Sequence, residues 1–228
     1  MQISRYLDHA VLKPHMDEQE IREAIQLGID YKVWSVCVRP CDIPMALEMC
    51  EGTETMVSCV LDFPHGDAPA AVKELLAKQY VGMGVREIDM VLNFGFLRGG
   101  QYDEVLGGIE RVVRQAHAKD VLVKVIFETG VLNTAQIQKG VELSIQAGAD
   151  FVKTSTGFVA GGATPEAVQT MLQAAAGRIR VKPSGGIRNF ETAKLYVDMG
   201  AARLGVGYNS TPVICGGEEN AAESQDAY

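Results

Sequence analysis

Two rhythms of apolar and polar positions alternate along this chain. Short apolar stretches rich in β-branched residues recur between turn-forming residues, and longer segments with apolar positions three and four apart lie between them. The short stretches predict strands at RYLDHAV (5–11), VWSVCVR (33–39), TMVSCVLDF (55–63), VREIDMVLN (85–93), VLVKVIFE (121–128), ADFVKTS (149–155), RIRVKPS (178–184) and ARLGVG (202–207). The longer segments predict helices over 17–31, 42–51, 67–83, 101–118, 133–147, 164–176 and 190–199. Asp17 precedes an EQE turn, Thr164-Pro165-Glu166 reads as a cap followed by an N1 proline, and Gly148 and Gly200 stand at helix C-caps. Regular strand–helix alternation with apolar strands predicts a parallel sheet covered on both sides. Eight strands favour closure, so the expected fold class is α/β, a single (β/α)8 TIM barrel. The endings AGADFVK, MGAARLG and MGVREID repeat one unit, a helix ending on glycine that leads into the next strand. From Thr211 the pattern stops, which predicts a barrel over 1–210 and a flexible acidic C-terminal tail over 211–228. The last residue, Tyr228, either folds over a pocket or frays.

Composition narrows the functional classes. A chain of 228 residues with 47% hydrophobic content can bury the core of one barrel domain. The net charge of −8 excludes a general nucleic-acid binder but leaves room for a locally basic pocket and an anionic small molecule. Five cysteines without a CxxC pair predict a reduced, cytoplasmic setting, and Cys37, Cys41 and Cys50 lack the spacing of a zinc site. No signal-peptide pattern opens the chain, and no apolar run reaches roughly 18 residues, so neither secretion nor membrane insertion is expected.

The candidate chemistry centres on lysine. Lys124, Lys153 and Lys182 lie 29 residues apart, each beside an apolar stretch. One strand–helix unit of a barrel takes about 25–35 residues, so this spacing predicts three ammonium groups on one level. Like charges in an enclosed site lower each other's pKa, and a lysine depressed in this way attacks carbonyls to form a Schiff base. The alternative is a rim lysine whose stem covers surface while its head stays in water. The strand ends facing an active site would also present Asp8, Cys37, Asp62, Asp89, Asn93 and Glu128. A second constellation is SGGIR (184–188), where Gly185, Gly186 and Arg188 stand between a strand and a helix N-terminus. With Gly205 and Gly207 on the eighth strand, this is either a phosphate cradle or a plain turn.

The stretches LDHAVLKP (7–14), EIDMVLNFG (87–95), KVIFETGVL (124–132), ADFVKTSTGF (149–158), GGAT (161–164) and VKPSGGIR (181–188) resemble those of the deoxyribose-phosphate aldolase family, in its order and over most of residues 5–205. The resemblance implies a metal-free class I aldolase without a cofactor. Such an enzyme reversibly joins acetaldehyde and glyceraldehyde 3-phosphate into 2-deoxyribose 5-phosphate. It also implies Lys153 as the Schiff-base nucleophile and Lys182 as the neighbouring cation that keeps Lys153 partly neutral and assists proton movement. Asp89 would be the general acid/base working through a water, with Asp8 and Lys124 in support. Gly157, Gly185, Gly186, Arg188, Gly205 and Gly207 would bind the substrate phosphate. For Cys37, packing and a place near the site are both open, and a homo-oligomer, a dimer, is expected on the resemblance alone.

Three features depart from the family pattern. Pro183 replaces an alanine beside the second lysine, Gly207-Tyr208 replace the serines that end the phosphate grip, and LDFPHG adds Asp62 and His65. Two ligands without a third make a poor metal site. The altered 205–208 segment motivates an alternative substrate, an unphosphorylated or otherwise changed 2-deoxy sugar or aldehyde. A non-catalytic barrel that binds a sugar phosphate is the reading from a different class.

Overall fold

A computed structural model describes residues 2–159 and 161–225 of the chain. Eight parallel strands are present where the apolar stretches predict them: β1 (Leu7–Val11), β2 (Ser35–Val38), β3 (Met56–Leu61), β4 (Glu87–Val91), β5 (Leu122–Ile126), β6 (Phe151–Lys153), β7 (Arg180–Lys182) and β8 (Leu204–Gly207). Each is shorter than its apolar stretch: β1 and β8 lose residues at their starts, and the others also lose residues at the ends that turn into loops. Helices α1 (Glu18–Asp30), α2 (Ile43–Cys50) and α3 (Ala70–Met83) follow the first three strands. A short α4 (Phe94–Arg98) and α5 (Tyr102–His117) follow β4, and α6 (Thr134–Gln146), α7 (Pro165–Ala175) and α8 (Phe190–Met199) follow β5, β6 and β7. Asp17 builds a full capping box with Glu20, and the Thr164 side chain accepts from the Ala167 N–H.

Strands pair in the order β7-β6-β5-β4-β3-β2-β1-β8, every pair parallel. The circle closes between β7 and β8 through a parallel bridge at Ser184 and Gly205. Across this seam the Gly205 N–H donates to the Pro183 carbonyl at 2.8 Å and the Ala202 N–H to the Val181 carbonyl at 3.0 Å. Pro183 has no N–H to return, so the seam is a bridge and not a full ladder. Gly205 is required here: a Cβ would stand 2.7 Å from Ser184 Cβ and 3.2 Å from Lys182 Cε.

The segment expected to be a tail differs. Thr211–Gln225 form a helix, α9, entered through a turn over Tyr208–Ser210. Its first turns are anchored, with Ile214 and Cys215 buried and the Glu218 carboxylate accepting the Ile3 N–H at 2.9 Å. The Thr211 hydroxyl meets His9 Nδ1 of β1 at 2.8 Å. Tyr228 lies outside the described residues.

Candidate active site

Alternation along β4 points Glu87 and Asp89 into the barrel and Ile88 toward the helices. Asp8 from β1, Lys124 from β5, Lys153 from β6 and Lys182 from β7 enter the same interior, joined by Arg203 just before β8. All seven are buried. The three lysines converge on one carboxylate. Lys153 and Lys182 each donate to Asp89 Oδ2 at 2.7 Å, while Lys124 donates to Asp89 Oδ1 at 2.8 Å. Lys182 also makes a short contact with Asp8 Oδ2.

Beneath this centre lies a supporting layer that the sequence reading missed. Arg203 pairs with Asp8 at 2.7 Å and Glu87 at 3.1 Å, and Lys124 reaches Glu87 at 2.5 Å. Ser35 donates to Asp8 at 2.8 Å, the Trp34 indole donates to Glu87 at 3.2 Å, and the Arg203 guanidinium stacks 4.4 Å from the Trp34 ring. Glu87 was available to sequence reasoning, since it stands two residues before Asp89 on one strand face. Arg203 lay inside the predicted eighth strand, but nothing in the sequence ties it to partners as distant as Asp8, Glu87 and Trp34.

The expectation of three lysines on one level is corrected. Lys153 and Lys182 are register partners, but Lys124 pairs with Phe151, and it is Ile126 that pairs with Lys153. Lys124 therefore enters two residues earlier on its strand than equal sequence spacing implies. It lies beneath the cavity that Lys153 and Lys182 line.

Charge states follow from these contacts. Burial disfavours the Asp89 carboxylate, but Lys124, Lys153 and Lys182 outweigh it and hold the carboxyl well below the usual range. Burial likewise opposes the charge on Lys124, yet Asp8, Asp89 and Glu87 push it well above the ordinary lysine value. At Lys182 burial wins over Asp8 and Asp89, and the pKa falls. Lys124 is thus a fixed cation, whereas the proton on Lys182 is loosened. Cys37 lines the same cavity, and burial raises its thiol pKa, which keeps it protonated and poorly nucleophilic.

The cavity measures about 820 Å³, with Asp8, Cys37, Lys153 and Lys182 at one end. Its wall also contains all the glycines expected to bind phosphate, Gly157, Gly185, Gly186, Gly205 and Gly207, together with the exposed Arg188. Gly185 and Gly186 have φ of +83° and +80°, and Gly185 passes so close to Gly162 that a Cβ on Gly162 would lie 2.5 Å from the Gly185 carbonyl oxygen. Tyr208 does not line the cavity; the next two residues, Asn209 and Ser210, do, as does Lys13. Lys13 Nζ lies 5.3 Å from the centre of the Tyr208 ring.

Asp62 and Asn93 turn away from this chemistry. The Asp62 carboxylate accepts from the Ala68 N–H and pairs with buried Lys73, each at 3.0 Å. Asn93 caps α4 by accepting the Phe96 N–H at 2.8 Å. Among the described residues no cluster of three or more His, Cys, Asp or Glu is arranged to hold a metal. No helix among them is long and apolar enough to cross a membrane.

The deoxyribose-phosphate aldolase of Lactiplantibacillus plantarum is 42% identical over 206 residues, 90% of this chain and 96% of that protein. The enzyme of the same name from Thermococcus gammatolerans is 42% identical over 207 residues, 90% of this chain and 92% of its own. Among solved structures, the aldolase QR15 superposes with a TM-score of 0.89 at 37% identity, covering 99% of both chains. A deoxyribose phosphate aldolase from Aeropyrum pernix, described as a unique tetramer, superposes with a TM-score of 0.88 at 27% identity over 96% of this chain and 92% of that one. A family model described as DeoC/LacD family aldolase matches residues 3–208, and this chain belongs to that family.

Proposed function

We propose that the protein reversibly cleaves 2-deoxy-D-ribose 5-phosphate to acetaldehyde and D-glyceraldehyde 3-phosphate through a Schiff base on Lys153. The observation that carries this reading is the shared Asp89 oxygen: two lysines, 2.7 Å from it, at the end of a cavity large enough for a sugar phosphate. With a proton given up to the network, the Lys153 amine adds to the C1 aldehyde of the open-chain sugar; a proton relayed by Lys182 to the carbinolamine hydroxyl lets water leave, and the nitrogen remains as a protonated imine. Asp89, through a water, takes the C3 hydroxyl proton. The C2–C3 bond breaks, its electrons pass into the imine to give an enamine, and C3 departs as the aldehyde of glyceraldehyde 3-phosphate. Protonation of the enamine at C2 and hydrolysis of the imine release acetaldehyde and restore the amine. Lys182, with its lowered pKa and its place between Asp8 and Asp89, relays protons.

Lys124, Glu87 and Arg203 act in this reading as the fixed charges that orient Asp89 and Asp8. The phosphate is assigned to Gly157, Gly185, Gly186, Arg188, Gly205 and Gly207, with Asn209 and Ser210 in the cavity wall next to the positions 207 and 208 that lack the family's serines. The same reading places the enzyme in the cytoplasm as a homodimer, which its mass in solution tests. Incubation with acetaldehyde or the sugar phosphate followed by borohydride, with peptide mapping, tests the lysine. Turnover of 2-deoxyribose with and without the 5-phosphate separates the phosphorylated substrate from the unphosphorylated alternative.

A further inference from the structure

Glu128 makes no hydrogen bond or ion pair with the lysines of the network, yet three features mark it. Its backbone is left-handed, with φ 59° and ψ 62°, an uncommon and costly conformation for a residue with a side chain. Its side chain is fully buried just past the end of β5. Its two oxygens are treated unequally. Oε2 accepts the Thr156 N–H at 3.2 Å and also the Thr156 hydroxyl, while Oε1 is buried with no hydrogen-bond partner among the described residues. A buried polar atom left unpaired is costly enough to need a reason.

The reason lies in what Glu128 holds. The Thr156 hydroxyl, while donating to Glu128, accepts the Phe158 N–H at 3.0 Å, so one carboxyl group organises the turn from Thr156 to Phe158. The loop after β5 and the loop after β6 are joined at two further points. The Phe127 N–H donates to the Lys153 carbonyl at 3.0 Å, and the Thr129 N–H to the Thr154 carbonyl at 2.9 Å. Glu128 sits between those two bonds in sequence and extends the latch beyond Lys153 to the cavity wall, where Thr156 and Gly157 stand. Burial also raises its carboxyl pKa above the usual glutamate value. Oε2 alone accepts both Thr156 bonds, a role that a glutamine amide oxygen can also fill.

We propose that Glu128 is a positioning residue that latches the Thr156–Phe158 turn and so fixes the part of the cavity wall that receives the phosphate-bearing half of the substrate. The inference rests on the sugar-phosphate reading above for the identity of that ligand, but the latch itself does not.

Three measurements on the parent, Glu128→Leu and Glu128→Gln test it. In steady-state cleavage of 2-deoxyribose 5-phosphate, Glu128→Leu raises KM by about tenfold or more with a smaller change in kcat, and Glu128→Gln returns both to near the parent. Labelling of Lys153 by acetaldehyde and borohydride is unchanged in Glu128→Leu, because acetaldehyde does not extend to Gly157. Hydrogen exchange at the Thr156 and Phe158 amides, slow in the parent and in Glu128→Gln, becomes fast in Glu128→Leu. If Glu128→Leu does not fold, Thr156→Val carries the same KM and exchange tests at the Phe158 amide, with Thr156→Ser as its rescue. An unchanged KM in Glu128→Leu overturns the proposal, as does unchanged exchange. A loss of Lys153 labelling equal to the loss in kcat/KM also overturns it, since Glu128 would then act on the lysine. Failure of the parent itself to turn over the sugar phosphate refutes the functional reading instead, and the exchange result still decides the latch.

Discussion

Lys153 and Lys182 donate to the same oxygen of Asp89, each at 2.7 Å, in a site where both ammonium groups are buried. Two cations on one carboxylate oxygen cannot be equally satisfied. The contest is biased by Asp8, which contacts Lys182 but makes no ion pair with Lys153, and by Lys124, which holds the other Asp89 oxygen. A proton moving among Lys153, Asp89 and Lys182 therefore travels a path already lined with hydrogen bonds.

Asp89→Asn removes the charge that three lysines share. Turnover is expected to fall by about a hundredfold or more, the scale of a lost general acid/base. Uncompensated ammonium groups left in the barrel are expected to lower stability by about 3 kcal/mol. A cleavage assay and urea denaturation of the same preparation check both effects.

Glu87→Gln separates support from chemistry. Glu87 makes no contact with Lys153 but neutralises Arg203 and Lys124 at the bottom of the network. Loss of one partner of a buried pair is expected to cost about 3–5 kcal/mol of stability. The loss in kcat/KM should be smaller than that caused by Asp89→Asn, as denaturant titration and steady-state kinetics will show.

Gly205→Ala tests the barrel seam. The added Cβ would stand 2.7 Å from Ser184 Cβ and 3.2 Å from Lys182 Cε, so Ser184 or the Lys182 stem must shift. A displacement of this kind at a reacting group is expected to reduce kcat by about tenfold to a hundredfold. The circular dichroism spectrum should stay that of the parent.

His9 predicts an acid-side loss of stability. It is fully buried, with Nε2 at 2.8 Å from the Ala24 carbonyl and Nδ1 at 2.8 Å from the Thr211 hydroxyl, so Nε2–H donates and Nδ1 accepts. Burial lowers its pKa from 6.5 to about 4, partly opposed by the Ala24 bond. Between those values the unfolded chain binds a proton that the folded chain does not. Stability is therefore full above pH 6.5 and falls as pH drops through the window, by about 3 kcal/mol at its lower end. Urea denaturation from pH 7 to 4 measures the slope, which should flatten in His9→Gln.

Much of this architecture was legible because the strands are short, largely apolar stretches and several helices carry recognisable caps, such as Asp17, Thr164 and Gly200. The failures have local causes. Helix α9 was hidden by the glycines at 216 and 217, which read as breakers. At Gly217 a Cβ would meet Phe190 Cβ at 2.5 Å, so this glycine permits close packing of α9 on α8. Equal spacing put Lys124 level with Lys153, whereas register is set by strand pairing and places Phe151 opposite it. The missing serines at 207 and 208 suggested a lost anion site, yet the turn beyond Tyr208 brings Asn209 and Ser210 into the wall. The buried Arg203 left no signal, because its partners Asp8, Glu87 and Trp34 come from far along the chain.

The central claim is that Lys153, and no other lysine of the cluster, forms the Schiff base. Acetaldehyde and borohydride treatment of the parent protein, followed by peptide mapping, tests it most directly. One reductively ethylated lysine at position 153, absent from Lys153→Leu, is the predicted result. Modification at Lys182 instead, or full turnover by Lys153→Leu, would contradict the account.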